Sequence, residues 1–100
     1  MAEVICTEPA LHALEAIAEY IALDNPPAAG KLVKEVFDKT GRLENFPKSR
    51  RTPHELPESI YREVVVPPCR ILYREDGDRV WILYVMRDER KLRAFMLDPN

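Results

Sequence analysis

The first half of the chain carries two stretches in which apolar residues recur at helical spacing. The first stretch contains Ala10, Leu14, Ile17 and Ile21, separated by four, three and four positions. This spacing is typical of an amphipathic helix with one buried face. Thr7 is suited to cap its start, and the prolines at positions 26 and 27 predict its end near residue 24.

The second stretch predicts a helix that runs from these prolines to about Leu43. Its apolar face comprises Ala29, Leu32, Val33, Val36, Phe37, Thr40 and Leu43. The turn between the two helices is too short to separate them, so we expect a helical hairpin. The shared apolar face of such a hairpin needs a sheet to cover it.

The remaining regular segments are prone to form strands. They are residues 3–6, 60–66, 69–74 and 79–86. Asp76 with Gly77 is a strong signal for a hairpin turn, whereas Pro67 and Pro68 cannot donate ladder hydrogen bonds and are expected to form a bend. Residues 44–59 show no period and contain three prolines, which is typical of a long surface loop.

Together these elements predict an α+β fold of order β-α-α-β-β-β. The helical hairpin is expected to pack on one face of a mostly antiparallel sheet and to leave the other face open. The length of 100 residues, with 46% hydrophobic and 32% charged residues, predicts a single domain over residues 1–100.

Composition argues against several classes of protein. No apolar run approaches the ~20 residues of a membrane helix and the start of the chain lacks the features of a secretory signal, so we expect a cytoplasmic protein with no membrane contact. Cys6 and Cys69 lie far apart, which favours reduced thiols and predicts neither a metal nor a cofactor. The net charge of -2 is unlike that of a general nucleic-acid coat and favours a protein partner or a local anion site.

Several segments, in the same order along the chain, resemble a known group of toxins. Residues 17–29 are similar to its inter-helix signature. Residues 61–63, 69–74, 80–85 and 87–90 resemble its strand pattern, in which Cys-Arg-Ile-Leu-Tyr-Arg is similar to a Tyr/Cys-Arg-Ile-x-Tyr strand. The group is the RelE/ParE superfamily of bacterial type II toxin–antitoxin modules, and the similarity extends over nearly the whole chain.

The resemblance implies a toxin that is neutralised by a small antitoxin, whose C-terminal segment wraps the toxin in a hetero-oligomer. It also implies one of two activities. RelE-like members are endoribonucleases that cut messenger RNA on the ribosome. ParE-like members poison DNA gyrase.

The chemistry of the residues favours the ParE-like activity. Metal-free RNA cleavage needs a base, an acid and cations around the phosphate. Many superfamily members carry a histidine after the last strand, where this chain has Arg87, which stays protonated and cannot move a proton. His12 is expected at a helix edge, so His54 with Glu55 is the best acid–base candidate. Because this set is incomplete, we predict gyrase inhibition by binding.

The arginines therefore have two interpretations. In the RelE-like alternative, Arg62, Arg70 and Arg87 surround a phosphate and His54 or Glu55 carries the proton. In the ParE-like interpretation, contacts with the target or the antitoxin are made by Arg62, Arg70, Arg87, Arg90, Lys91 and Arg93. Arg62 and Arg70 fall within strands and are expected to face the open side of the sheet, where they pair with nearby acidic residues or with a partner.

Overall fold

The chain forms a four-stranded sheet with two helices, described for residues 1–97 by a computed structural model. The strands are β1 (Glu3–Cys6), β2 (Tyr61–Val66), β3 (Cys69–Asp76) and β4 (Arg79–Arg87), and the helices are α1 (Glu8–Ala22) and α2 (Pro26–Gly41). Short 3-10 turns cover Arg42–Glu44 and Ala94–Met96. The strand order is β1-β4-β3-β2, with β1 parallel to β4 and the other pairs antiparallel. The predicted α+β order is confirmed.

The helix starts are fixed by the residues that the sequence assigns to them. The Thr7 hydroxyl accepts a hydrogen bond from the Ala10 amide at 3.4 Å and donates one to the Ile82 carbonyl at 2.7 Å. The Asn25 side chain accepts from the Ala28 amide at 3.2 Å. Each cap satisfies an amide that the first helical turn leaves without a partner. The Thr7 contact also ties the start of α1 to β4.

The main core lies between the helical hairpin and one face of the sheet. Its buried members include Leu14, Leu32, Val36, Leu43, Val64, Val66, Ile71, Tyr73, Val80, Ile82 and Val85. The predicted apolar stripes of both helices point into this core. Among the described residues, neither helix has the length and apolar character required to cross a membrane.

The opposite face of the sheet is covered, and the expectation of an open face is wrong. Leu72 of β3 and Met86 of β4 lie on this face and are buried against Leu92 and Leu97. Leu56 of the long loop packs against the same cluster. Apolar side chains on both faces of the central strands require cover on both sides, and the loop and the C-terminal segment provide it.

An irregularity in β4 decides which way its last residues point. Leu72 is paired with Tyr84, but the next residue of β3, Tyr73, is paired with Ile82, so Leu83 is an extra residue in β4. Such a bulge shifts the alternation of side chains by one position. Val85 consequently faces the helices, as Ile82 does, and Arg87 follows on the same face.

Both predicted turns are confirmed. Pro67 and Pro68 connect β2 to β3 outside the strands, and their peptide bond is cis. Gly77 lies between β3 and β4 with a φ of 63°, a conformation that glycine adopts without steric penalty. Cys6 and Cys69 are free, as expected, and burial raises the pKa of both thiols.

Candidate functional site

A buried arginine on β3 organises the face of the sheet opposite the helices. The Arg70 side chain is 3% exposed and holds two carboxylates. It donates to both oxygens of Glu55, at 2.8 and 2.7 Å, and its Nε and Nη2 donate to one oxygen of Glu63 at 2.9 and 2.6 Å. Hydrogen bonds with Glu55 raise the pKa of Arg70 further above its ordinary value. The guanidinium therefore stays charged and is neutralised within the fold.

Glu63 extends this network to the middle of the long loop. Its side chain is fully buried and accepts from Arg51 Nε at 2.6 Å. The Glu63 amide also donates to the Arg51 carbonyl at 2.9 Å. We call Arg51, Glu55, Glu63 and Arg70 the charge network. Its two positive and two negative charges balance. Glu55, Glu63 and Arg70 are buried, whereas the Arg51 side chain is 67% exposed, so the pairing offsets the free-energy cost of removing three of the four groups from water.

Glu55 connects the charge network to the C-terminal segment. Its side chain is 5% exposed, and one oxygen accepts from the Leu92 amide at 2.9 Å. The hydrogen bonds from Arg70 lower the pKa of Glu55 to about 2. The carboxylate is thus ionised at neutral pH and both of its oxygens are engaged.

A groove of about 770 Å³ opens above the charge network. We call it the basic groove; its lining comprises His54, Glu55, Arg70 and residues 88–94. Arg90, Lys91 and Arg93 are exposed along it. Of the exposed acids beside them, Glu89 is bound to Arg87 at 2.8 Å. The exposed charge of the groove is therefore mainly positive, which suits carboxylate or phosphate groups.

The structure does not bring Arg62, Arg70 and Arg87 together. Arg62 is paired in register with Tyr73 and Arg87 with Cys69, so both lie on the helix side of the sheet. Arg70 lies on the opposite side. The expectation that Arg62 faces away from the helices is wrong, because Arg62 lies on the same face of β2 as Val64 and Val66, which are buried in the main core.

Arg62 and Arg87 each make contacts within the fold. Arg62 Nη1 donates to the carbonyls of Lys48 and Arg50, at 3.3 and 2.7 Å, and so holds the long loop. The Arg87 side chain is 35% exposed, and its Nε donates to a Glu89 oxygen at 2.8 Å. A backbone hydrogen bond of Glu89 and this contact lower the pKa of Glu89. Their predicted roles in binding a target or an antitoxin stay predictions.

The two histidines differ in their relation to the groove. His54 is 81% exposed at the groove, with Nδ1 3.3 Å from a Glu55 oxygen. His12 is exposed on α1, as expected. Within residues 1–97, no group of three histidine, cysteine or acidic side chains is arranged to hold a metal ion.

The decisive comparison is with protein-family models. Residues 4–92 match the model described as the ParE toxin of the type II toxin–antitoxin system parDE. The chain belongs to the ParE toxin family. No curated protein sequence matches this ParE-family chain.

A solved structure shares the fold. It is titled as the chromosomal ParDE TA system from P. aeruginosa, and the match covers 89% of this chain and 98% of that chain. The TM-score is 0.76 at 24% sequence identity. This likeness shows that the two chains have the same ParE-type architecture.

Sequence reasoning found part of the charge network of this ParE-family chain. It expected the strand arginines to pair with nearby acidic residues such as Glu63, Glu75 or Asp88, and the Arg70–Glu63 pair exists. It treated Glu55 as a proton carrier and did not identify Arg51. The available signal for Glu63 was a glutamate on the same strand face as the apolar side chains of Tyr61 and Val65. No periodic signal marks the loop residues Arg51 and Glu55.

We expect Arg70→Ala to lower the free energy of unfolding by about 3–5 kcal/mol, because it leaves the buried Glu55 carboxylate without its arginine and leaves Glu63 with Arg51 alone. Urea denaturation followed by circular dichroism measures this change. Arg79→Ala is the matched control: Arg79 is 56% exposed and lies 3.6 Å from the exposed Glu3, so the expected change is at most about 1 kcal/mol. Equal stability losses in the two variants would contradict the assigned role of Arg70.

We expect a pH dependence of stability that originates at Glu55. Folding lowers the pKa of Glu55 from 4.5 to about 2, so the unfolded chain binds the proton more tightly. The contribution of Glu55 is therefore complete above pH 4.5 and is lost as the pH falls toward 2. Urea denaturation at several pH values should give a shallower acid dependence for Glu55→Gln than for the wild type. Glu58→Gln, in the same loop, should keep the wild-type dependence.

Proposed function

We propose that this ParE-family toxin inhibits DNA gyrase by binding it through the basic groove, and that a cognate antitoxin neutralises it in the cytoplasm. The observation that carries the proposal is the row of exposed cations, Arg90, Lys91 and Arg93, beside an internally neutralised charge network. Membership of the ParE family supports gyrase as the target. Within residues 1–97 these three cations form no salt bridge, and exposed cations of this kind suit an acidic macromolecular surface.

The groove is better suited to binding than to RNA cleavage. A general acid must hold a proton near neutral pH, and the pKa of about 2 keeps Glu55 ionised. Both Glu55 oxygens accept hydrogen bonds from Arg70, which restricts their use as a base. The arginines of the RelE-like alternative also lie on different faces of the sheet. His54 remains exposed at the groove as the other proton carrier of that alternative, but Arg62 and Arg87 do not lie beside it to hold a phosphate. Ribosome-dependent cleavage of messenger RNA is therefore the alternative that the geometry supports less.

The β1 edge is the surface that we propose for the antitoxin. Within residues 1–97, β1 pairs with β4 alone, so its outer edge is available to a further strand. A small apolar cleft of about 180 Å³ lies beside it, lined in part by Val4, Cys6 and the half-exposed Phe37. The solved relative is titled as a ParDE toxin–antitoxin system, which supports a hetero-oligomer for this chain as well.

We expect the triple variant Arg90→Ala, Lys91→Ala, Arg93→Ala to inhibit gyrase supercoiling about tenfold more weakly than the wild type, because it removes the cations that meet the target. The measurement is the toxin concentration that halves supercoiling by purified gyrase. The matched control removes three cations from α2, at Lys31, Lys34 and Lys39, and should inhibit as the wild type does.

Two results would count against this proposal. A wild-type chain that leaves supercoiling unchanged at stoichiometric amounts would exclude gyrase as the target. Equal weakening in the two triple variants would show that net charge matters and the basic groove does not. Cleavage of messenger RNA on translating ribosomes by the wild-type chain would support the RelE-like alternative.

We expect Phe37→Asp to weaken antitoxin binding, because a carboxylate at the apolar cleft must be desolvated when a partner covers it. The antitoxin would be the product of a short reading frame beside the gene of this chain, and calorimetry would measure its affinity. Ile60→Asp is the control, since Ile60 is 64% exposed and directly precedes β2, the strand at the opposite edge of the sheet. Unchanged affinity of Phe37→Asp would place the antitoxin at a different surface.

A further inference from the structure

The C-terminal segment crosses the covered face of the sheet with few backbone attachments. The Asp88 amide donates to the Pro68 carbonyl at 2.8 Å, and the Arg90 amide donates to the Arg87 carbonyl at 3.1 Å. Residues 91–93 have no regular secondary structure, and the 3-10 turn at Ala94–Met96 follows them. Leu92 lies in this irregular part, between the exposed cations of the basic groove.

Leu92 is held by two contacts, one through its side chain and one through its backbone amide. Its side chain is 2% exposed and packs on Leu72 and Met86. Its amide donates to a Glu55 oxygen at 2.9 Å, which is a bond to a loop side chain 37 positions away. Because Leu92 points inward, the neighbouring residues Lys91 and Arg93 are directed outward.

Glu55 is itself fixed in position. Its two oxygens receive the two terminal nitrogens of Arg70, and a bidentate pair of this kind restricts both distance and orientation. Arg70 is held independently by Glu63. Glu55 thus connects the Leu92 amide to Arg70 on β3, an inner strand of the sheet.

We propose that Glu55 is a positioning residue for target binding: it locks the backbone at Leu92 and thereby sets the spacing of Arg90, Lys91 and Arg93 on the basic groove. This inference rests on the proposed function, in which those cations meet gyrase. Cations held in one geometry lose less conformational entropy on binding than cations on a loose segment.

The geometry separates this role from a general structural one. Without Glu55, Arg70 retains Glu63, and Glu63 retains Arg51. The sheet and its main core keep their contacts, while the Leu92 amide loses its acceptor. Removal of Glu55 should therefore act on residues 88–94 more than on the rest of the fold.

The test compares Glu55→Ala and Glu55→Gln with the wild-type chain. Amide hydrogen exchange measured by NMR reports on the segment without gyrase, and the supercoiling assay reports on binding. In Glu55→Ala we expect the Leu92 amide to exchange its hydrogen faster than in the wild type. We also expect the toxin concentration that halves gyrase supercoiling to be about tenfold higher. Glu55→Gln retains one oxygen acceptor, so it should restore part of the slow Leu92 exchange and part of the gyrase inhibition. This variant also keeps the test valid if the alanine variant fails to fold.

Two control variants distinguish positioning from lost stability. Glu58→Ala removes an exposed carboxylate from the same loop and should behave as the wild type. Val64→Ala opens a cavity in the main core, on the other side of the sheet, and lowers stability without contact to the segment. It should leave inhibition unchanged under conditions where the variant is folded.

The outcomes are separable from those of the proposed function. An unchanged exchange rate of the Leu92 amide in folded Glu55→Ala and Glu55→Gln would overturn the inference. An equal loss of gyrase inhibition in folded Val64→Ala would also overturn it, because lost stability alone would then explain the effect. A wild-type chain that does not inhibit gyrase would overturn the proposed function, while the exchange data would still decide whether Glu55 orders the segment.

Discussion

The need to neutralise one buried guanidinium determines the architecture of the face opposite the helices. Arg70 lies near the start of β3, an inner strand of the sheet, and is almost without access to water. A charge in such a place is tolerated only with counter-charges and complete hydrogen bonding. Glu63 comes from the adjacent strand, but Glu55 must be brought in by the long loop. That requirement orders a loop that has no regular secondary structure to hold it.

The same interaction separates charge into an inner and an outer set. The inner set of Arg51, Glu55, Glu63 and Arg70 is balanced in charge, and all of its members except Arg51 are buried. The outer set, Arg90, Lys91 and Arg93, remains on the surface of the C-terminal segment, where it can attract an acidic partner. This separation favours recognition over proton transfer, because the buried carboxylate is committed to an arginine.

The two-sided burial of β3 and β4 explains why the strand arginines do not converge. Alternate residues of these strands enter two different hydrophobic clusters. Arg70 belongs to one face, while Arg62, by register, and Arg87, beyond the bulge at Leu83, belong to the other. A single phosphate site made from all three is therefore incompatible with the sheet.

The sequence by itself determined the elements, since their signals act between neighbouring residues. The caps at Thr7 and Asn25, the prolines and the Asp-Gly turn each fix local backbone conformation, and helical periodicity identified the core face of both helices. Only the tertiary structure decided the cover of the second face and the pairing of Glu55 with Arg70 and Leu92. Those partners lie 15 and 37 positions apart and meet through a loop without periodicity, so no local pattern encodes their contact.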